Sequence, residues 1–326
     1  MNRLDYITGL VVYVIAKMLD VVLWFWTPRL RKPLFSHVCI KVLYPSHNSD
    51  LPLFVKKSTS DAWGNQEIMR LATSYPYMDD CEGVVQISDD TVVKLCDSFV
   101  LARSESLAID LVRAKTCIPV PHVRKIIRRQ PHRKGFDLIV MDLIPNSKQL
   151  HSCWPSLSVW EKLKVVLTLR HYFRQLRSIQ ASSTTPPGPL YRPPATCYGL
   201  HFGYNRWGPF PTMAALAQLT SAEDCSARGV QLAPGCQPLN ESIFTPLIFT
   251  HNDLSMCNIL IDGDGQLWIV DWNCAGFYPT WFEYLGMRFA ARDDQAPSSW
   301  KMATNLIVEP SFEMTRWMSA IGRSRF

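Results

Sequence analysis

Glycine and charge are both scarce in this sequence. Of 326 residues, 15 are glycine and 19% are charged, against 47% apolar. So apolar a composition excludes general disorder, and the length is enough for two lobes around one cleft. The ten cysteines include no C-x-x-C pair and lack the paired histidines of a structural zinc site. A secreted disulfide framework does not suit a chain of this length, so the cysteines read as mostly buried thiols in a reducing compartment. The formal charge of +6 is spread too thinly to argue for nucleic acid. Two motifs are also missing: no G-x-G-x-x-G and no A-P-E occurs anywhere.

What is present centres on Phe249 to Trp272. The stretch reads His251-Asn252-Asp253-Leu254-Ser255-Met256-Cys257-Asn258-Ile259-Leu260-Ile261, then the turn Asp262-Gly263-Asp264-Gly265, then Gln266-Leu267-Trp268-Ile269-Val270-Asp271-Trp272. Apolar runs around an Asp-Gly turn signal a hairpin. Asp253 and Asn258 then lie on a loop before one strand, and Asp271 at the end of the next. Three oxygen-bearing side chains converge at one end of the hairpin. Phosphoryl transfer needs such a set: one carboxylate for the attacking hydroxyl, and an amide and a carboxylate for Mg²⁺ on the phosphates. Asp253 followed five residues later by Asn258 fits H-x-D-x-x-x-x-N. The bland alternative is a surface hairpin with solvated acids, but apolar runs tight against the acids are what a site requires.

At these residues the chain resembles the aminoglycoside phosphotransferase-like kinases, especially their fungal members. The resemblance rests on Thr250-His251-Asn252-Asp253-Leu254, Asn258-Ile259-Leu260-Ile261-Asp262, Val270-Asp271-Trp272 and Gly276-Phe277-Tyr278-Pro279-Thr280-Trp281-Phe282-Glu283, and covers roughly Val84 to Arg288. Asn252 stands where that family often has Gly, and Asn273 where an acid often follows Asp-Trp. The resemblance implies an α+β, two-lobed protein-kinase-like fold. Its N-lobe has a small antiparallel sheet plus a helix, over a larger, mostly helical C-lobe. It also implies ATP and Mg²⁺ as cofactors and a small-molecule hydroxyl as acceptor. Asp253 is then the catalytic base, Asn258 and Asp271 hold metal, and His251 braces the loop.

The nucleotide half follows from a second pattern. Val84-Val85-Gln86-Ile87 and Thr91-Val92-Val93-Lys94-Leu95 flank the polar turn Ser88-Asp89-Asp90 and read as a hairpin. A lysine inside an apolar strand is ordinarily an edge residue pointing to water. Here a helical pattern follows at 101, 108, 111 and 112, and Glu105 is placed to hold Lys94 on the nucleotide phosphates. With no glycine loop, Ser88-Asp89-Asp90 is expected to cover the phosphates. Strands are expected over Val123 to Ile127 and Phe136 to Met141, separated by a basic turn, Arg128 to Lys134, that reads as solvated. Met141-Asp142-Leu143-Ile144-Pro145 resembles the hinge, with the backbone of Asp142 and Leu143 on the adenine edge.

The domain reading is 1–32 as a hydrophobic N-terminal segment, 33–82 as an extension without an assigned role, 83–142 as N-lobe and 143–326 as C-lobe. Ile7 to Trp26 is the most apolar stretch, interrupted by Lys17 and Asp20 and followed by Arg29, Arg31 and Lys32. It fits a single-pass or interfacial membrane anchor with the enzyme on the cytoplasmic face, an amphipathic helix packed on the enzyme, or a signal peptide without a small-residue cleavage site. Ser156 to Gln180 reads as a long core helix. The proline-rich segment at Pro186, Pro187, Pro189, Pro193 and Pro194 cannot be helical. It and the aromatics to Phe210 are expected to line the acceptor pocket, as the resemblance implies, or to be a surface excursion. Trp281 to Ala291 reads as a helix in which Glu283 pairs with a buried arginine, and Trp300, Phe312 and Trp317 as a tail that packs. Rival readings are an inactive kinase-like binding protein and a protein kinase. The second is opposed by the short distance from Asp271 to Glu283.

Overall fold

The computed structural model describes residues 3–26, 57–79, 81, 83–129, 135–202, 206–218 and 241–315. The basic cluster Arg29, Arg31 and Lys32, Tyr204, Trp317, the basic turn beyond Arg129, and the side chains of Asp20, Trp24 and Trp26 lie outside the described residues.

The helices are α1 (Arg3–Trp26), α2 (Asn65–Ser74), α3 (Phe99–Lys115), α4 (Leu150–Cys153), α5 (Val159–Ser178), α6 (Met213–Ala217), α7 (Phe282–Asp293) and α8 (Ser298–Ile307). The strands are β1 (Val84–Ser88), β2 (Thr91–Cys96), β3 (Val123–Ile127), β4 (Asp137–Asp142), β5 (Lys148–Gln149), β6 (Gly188–Pro189), β7 (Leu247–Thr250), β8 (Ile259–Ile261), β9 (Leu267–Ile269) and β10 (Gly276–Pro279). The fold is α+β. Its N-lobe sheet runs β1-β2-β4-β3, antiparallel throughout, over a mostly helical C-lobe that carries the small sheets β6-β10-β7 and β5-β8-β9.

Strand periodicity divides the N-lobe core. Val85, Ile87, Val93, Leu138 and Val140 face one way and pack with Ile68, Leu71 and Ala72 of α2. Val92, Cys96, Ile139 and Met141 face the other way and pack with Ala102, Ala108, Ile109 and Val112 of α3. Both faces are covered, which is why these strands read as continuous apolar runs. The sequence left residues 33–82 without a role; the part from Ser58 on belongs structurally to the N-lobe. Ser58 donates to or accepts from Thr91 (2.7 Å) and donates to Asp90 (3.1 Å), and the Asp90 carboxylate also takes the Thr59 amide at 3.1 Å.

In the C-lobe, α5 starts on a capping box in which Ser158 and Glu161 satisfy each other's backbone amides. Leu163, Val166, Leu169, Tyr172, Phe173 and Leu176 are buried along it. β10 approaches β6 so closely that a Cβ on Gly276 would lie 2.2 Å from the Gly188 carbonyl oxygen, so position 276 requires glycine. Trp300 meets Trp154 edge-on at 5.2 Å, as expected of a packed tail, but Phe312 is exposed.

The N-terminal helix corrects the spanning reading. Among the described residues no helix is long and apolar enough to cross a membrane. Instead α1 packs along α8 and α5, burying Val12 and Ala16, and the Asp5 carboxylate takes the Ser299 amide at 3.1 Å and the Ser299 hydroxyl. A Cβ on Gly9 would lie 2.7 Å from Ser299 Cα, so glycine permits this approach.

Candidate active site

Lys94 lies on an interior strand, on the same face as Val92 and Cys96, and so points at α3 rather than at water. Its ammonium donates to both Glu105 oxygens at 2.9 Å and to Asp271 Oδ1 at 2.7 Å. Burial alone would lower the Lys94 pKa; the carboxylates of Asp271 and Glu105 overrule it and hold the amine protonated, well above its ordinary range. Burial would likewise raise Asp271, but Lys94 holds it below the usual carboxylate value. Glu105 also accepts the Trp272 amide at 3.2 Å, which ties α3 to the end of the hairpin.

The loop from His251 to Asn258 is built on backbone bonds. Buried His251 contacts Val270 O through Nε2 at 3.0 Å, and its Nδ1 accepts the Asp253 amide at 3.3 Å. Both bonds suit a neutral ring with its proton on Nε2, and burial lowers its pKa to about 4. The Asn258 side-chain nitrogen donates to Asp253 O at 2.8 Å and to Asp253 Oδ2 at 3.3 Å. That commitment leaves the Asn258 amide oxygen as an acceptor. Asp253 is pushed up to about 8, first by burial and then by the negative charge of Asp271. The hairpin turn is fixed by Asp262, which accepts the amides of Asp264 and Gln266 at 3.0 and 2.9 Å and the Trp268 indole at 2.8 Å.

Two residues of the loop region have left-handed backbones, Asn252 (φ 67°) and Asp271 (φ 63°). The first explains why an asparagine can stand where the resembled family often has glycine, since asparagine tolerates this conformation better than most side chains. Glu283 supports that turn: its Oε2 accepts the amides of His251 at 2.7 Å and Asn252 at 3.5 Å. The expected arginine, Arg177, acts on Glu283 through its charge but makes no hydrogen bond to it. Arg177 bonds Thr280 O at 2.9 Å and Glu309 at 3.0 Å instead, and Glu283 Oε1 is buried without a hydrogen bond. Burial raises Glu283 to about 7, against the opposing amide bonds.

Lys94, Glu105, Asp142, Leu143, Asn258 and Asp271 all line one cavity of about 240 Å³ between the lobes. Val84, Val92, Pro121, Met141, Leu260 and Val270 give it apolar walls, the composition expected for a flat base. Asp253 does not line it. Two expectations about the cavity are corrected. The Ser88-Asp89-Asp90 turn is not its cover: Asp90 O accepts the Leu143 amide at 2.9 Å, which puts that turn beside the hinge. Met78, Cys81 and Val84 line the cavity from the other end of β1, next to Gly83 (φ 80°). At the hinge, the Asp142 amide is bonded to His122 O at 3.0 Å, so neither it nor the Leu143 amide is a donor for a base. The sequence reading also missed Arg124, whose guanidinium joins the Asp142 and Asp61 carboxylates, and Gln149 and Cys257 in the cavity wall. No pattern around these residues signals their roles.

The proline-rich insert divides between core and site. Phe202 and Phe210 are buried and stack at 6.3 Å, so they are core rather than acceptor surface. Tyr198 is half-buried, and burial raises its phenol. The charge of Asp253 pushes the same way and Arg206 opposes, so this part of the insert lies within electrostatic reach of Asp253.

No family model and no curated protein matches the chain. Among solved structures it is similar to a fructosamine-3-kinase from Haemophilus somnus (13% identity, 69% of this chain and 71% of that one, TM-score 0.43). It is similar to the choline kinase LicA from Streptococcus pneumoniae (12%, 76% and 83%, 0.39). An aminoglycoside 2′-phosphotransferase-IIIa variant in complex with GDP also matches (12%, 89% and 87%, 0.45). Likeness at this level carries no argument about activity, which has to come from the side chains described above.

Proposed function

We propose that this protein is an ATP- and Mg²⁺-dependent phosphotransferase acting on a hydroxyl of a small molecule. The observation that carries the reading is the three-way junction of Lys94 with Glu105 and Asp271, beside the bonded pair Asp253 and Asn258. A free lysine in a cleft binds any anion. One held between two carboxylates, with a second amide–carboxylate pair next to it, suits a triphosphate and its cation. Asn258 and Asp271 are hard oxygen donors on one cavity wall and fit Mg²⁺, which is ordinarily held by one or two protein groups together with the phosphates. Mg²⁺ bound there supplies positive charge that neutralises the phosphate oxygens and offsets the Asp271 repulsion on Asp253.

In this reading Lys94 orients the α- and β-phosphates, and Glu105 fixes where Lys94 points. Asp253 would accept the proton of the acceptor hydroxyl as the hydroxyl oxygen bonds to the γ-phosphorus and the bond from that phosphorus to the β-phosphate oxygen breaks, releasing ADP. His251 and Glu283 hold the loop that aims Asp253. A small acceptor is supported over a protein one by the stretch after Asp271, which passes directly through β10 into α7 and leaves no long segment to dock a peptide.

The test has two steps. Titration with Mg²⁺ and ATP should raise the melting temperature of the protein. Incubation with ATP and a metabolite pool should then give a product heavier by one phosphate, detected by mass spectrometry. A protein that binds Mg²⁺-ATP and phosphorylates nothing would be a nucleotide-binding module, and one that binds neither would end the proposal.

A further inference from the structure

The outer face of α1 is the least expected surface of the molecule. The helix is held by one side: Asp5 caps α8, Gly9 touches Ser299, and Val12 and Ala16 are buried. These positions recur every three or four residues, on one helical face. The opposite face carries Leu4, Ile7, Val11, Val14 and Met18 at the same spacing, with Leu10 beside them, and all are exposed, Leu4 at 72% and Met18 at 63%. A helix packed on a water-soluble surface normally turns charge outward, and contiguous exposed apolar surface marks a contact. From Leu4 to Met18 the one acid, Asp5, is turned inward, and the cation Lys17 is exposed. Beyond the helix the sequence continues with Arg29, Arg31 and Lys32, directly after Trp24 and Trp26.

We infer that α1 is an in-plane docking helix for an anionic lipid surface. Its outer face, Leu4, Ile7, Leu10, Val11, Val14 and Met18, enters the headgroup boundary while its inner face stays fixed to the C-lobe. The geometry excludes a spanning helix, because the inner face is already used by α5 and α8. Charge complementarity selects the lipid: between Leu4 and Met18 the exposed charge is the Lys17 cation, and the sequence after the helix adds Arg29, Arg31 and Lys32, a basic excess that favours anionic headgroups.

Flotation of the full chain with vesicles tests this, using phosphatidylcholine alone and phosphatidylcholine with about a quarter phosphatidylserine. Wild type should float with the anionic vesicles and lose binding as salt is added. Ile7→Glu with Val14→Glu should reduce flotation by about tenfold or more at an unchanged melting temperature, since both side chains are exposed. If that pair disturbs folding, Leu10→Ser with Val11→Ser serves in its place. Three results overturn the inference: wild type that floats with neither vesicle, variants that float as well as wild type, or a dimer without vesicles that the same substitutions convert to monomer. The last would show that a second copy of the chain covers this face.

Discussion

Among the described residues two glutamates are buried, and they are held in opposite ways. Glu105, in the upper lobe, lies against the Lys94 ammonium at 2.9 Å through both oxygens. Glu283, under the catalytic loop, has no cation bonded to it; it accepts two backbone amides and leaves one oxygen unpartnered. The first arrangement fixes a charge, which in the proposed function faces phosphate. The second fixes a backbone, and it does so at a turn where Asn252 takes a left-handed conformation. The upper half of the cleft is therefore organised by ion pairing and the lower half by hydrogen bonds, so the two should fail under different perturbations.

The largest effect should come from breaking the ion-paired half. Lys94→Ala leaves buried Glu105 and half-buried Asp271 facing each other without their cation. Removing one partner of a buried pair typically costs about 3–5 kcal/mol, a large part of a domain's stability. Urea unfolding should show a loss of that order, with Mg²⁺-ATP binding abolished. Unchanged stability would mean that the Lys94 junction is incidental to the fold.

Asp253→Asn should separate chemistry from structure. Asp253 has no ion partner to lose, so the variant should fold and bind nucleotide as wild type does. Its turnover should drop by about 10²–10⁴-fold, the usual contribution of a general base. Wild-type turnover in the variant would remove Asp253 from the reaction. Its neighbour Asp271 should behave differently: Asp271→Ala should abolish Mg²⁺-dependent ATP affinity, measured by titration with and without the metal.

Glu283 predicts a pH effect with a definite sign. Its folded value is about 7 against an ordinary 4.5, so between these values the folded chain holds a proton that the unfolded chain has released. The contribution is fully present below about 4.5 and is lost as pH rises through 7, by an amount on the order of 3 kcal/mol at pH 8. Glu283→Gln keeps a carbonyl oxygen for the two amides and removes the titration. The melting temperature of wild type should fall more steeply from pH 5 to pH 8 than that of the variant, and parallel slopes would show that the buried carboxyl does not titrate there.

What the sequence made legible follows the same division. The pairing of Lys94 with Glu105 and the meeting of Asn258 with Asp253 were legible because each residue sits at a fixed offset within a strand–turn or strand–helix pattern. The partners of the loops were not. Asp90 bonds Ser58 and Thr59 across thirty residues, Leu143 donates to Asp90, and Glu283 serves two amides rather than an arginine. These are long-range bonds, most of them to a backbone amide, which no local periodicity reports. The same limit misplaced the cover of the nucleotide cavity: hairpin and turn were recognisable, but which end of the hairpin meets the cleft is set by tertiary packing.

The smallest expected effect concerns the acceptor, where the lower half of the cleft meets the insert. No carboxylate occurs between Ala181 and Gln218, while Arg192, Tyr191, Tyr198, Arg206 and Trp207 all do. A polycation would need carboxylates there; aromatic faces and arginines suit an apolar, aromatic or anionic acceptor. The structure gives Trp207 an indirect part in this. Its backbone exchanges two hydrogen bonds with Cys197, at 2.7 and 3.0 Å, and its indole donates to Phe202 O at 3.1 Å. Cys197 precedes Tyr198, whose phenol responds to the charge of Asp253. Trp207→Ala should therefore loosen the seat of Tyr198 and raise the acceptor KM by roughly three- to tenfold, the effect of about 1 kcal/mol of lost positioning. Nucleotide affinity should hardly change, because no insert residue lines the cavity between the lobes. Aminoglycosides of the kanamycin type should be poor substrates. Efficient turnover of such a polycation would overturn this assignment, as would a Trp207 variant impaired in ATP binding alone. In the first case the acids would have to come from outside the insert, and Asp294, whose charge acts on Asp253 from the end of α7, is the residue to substitute next.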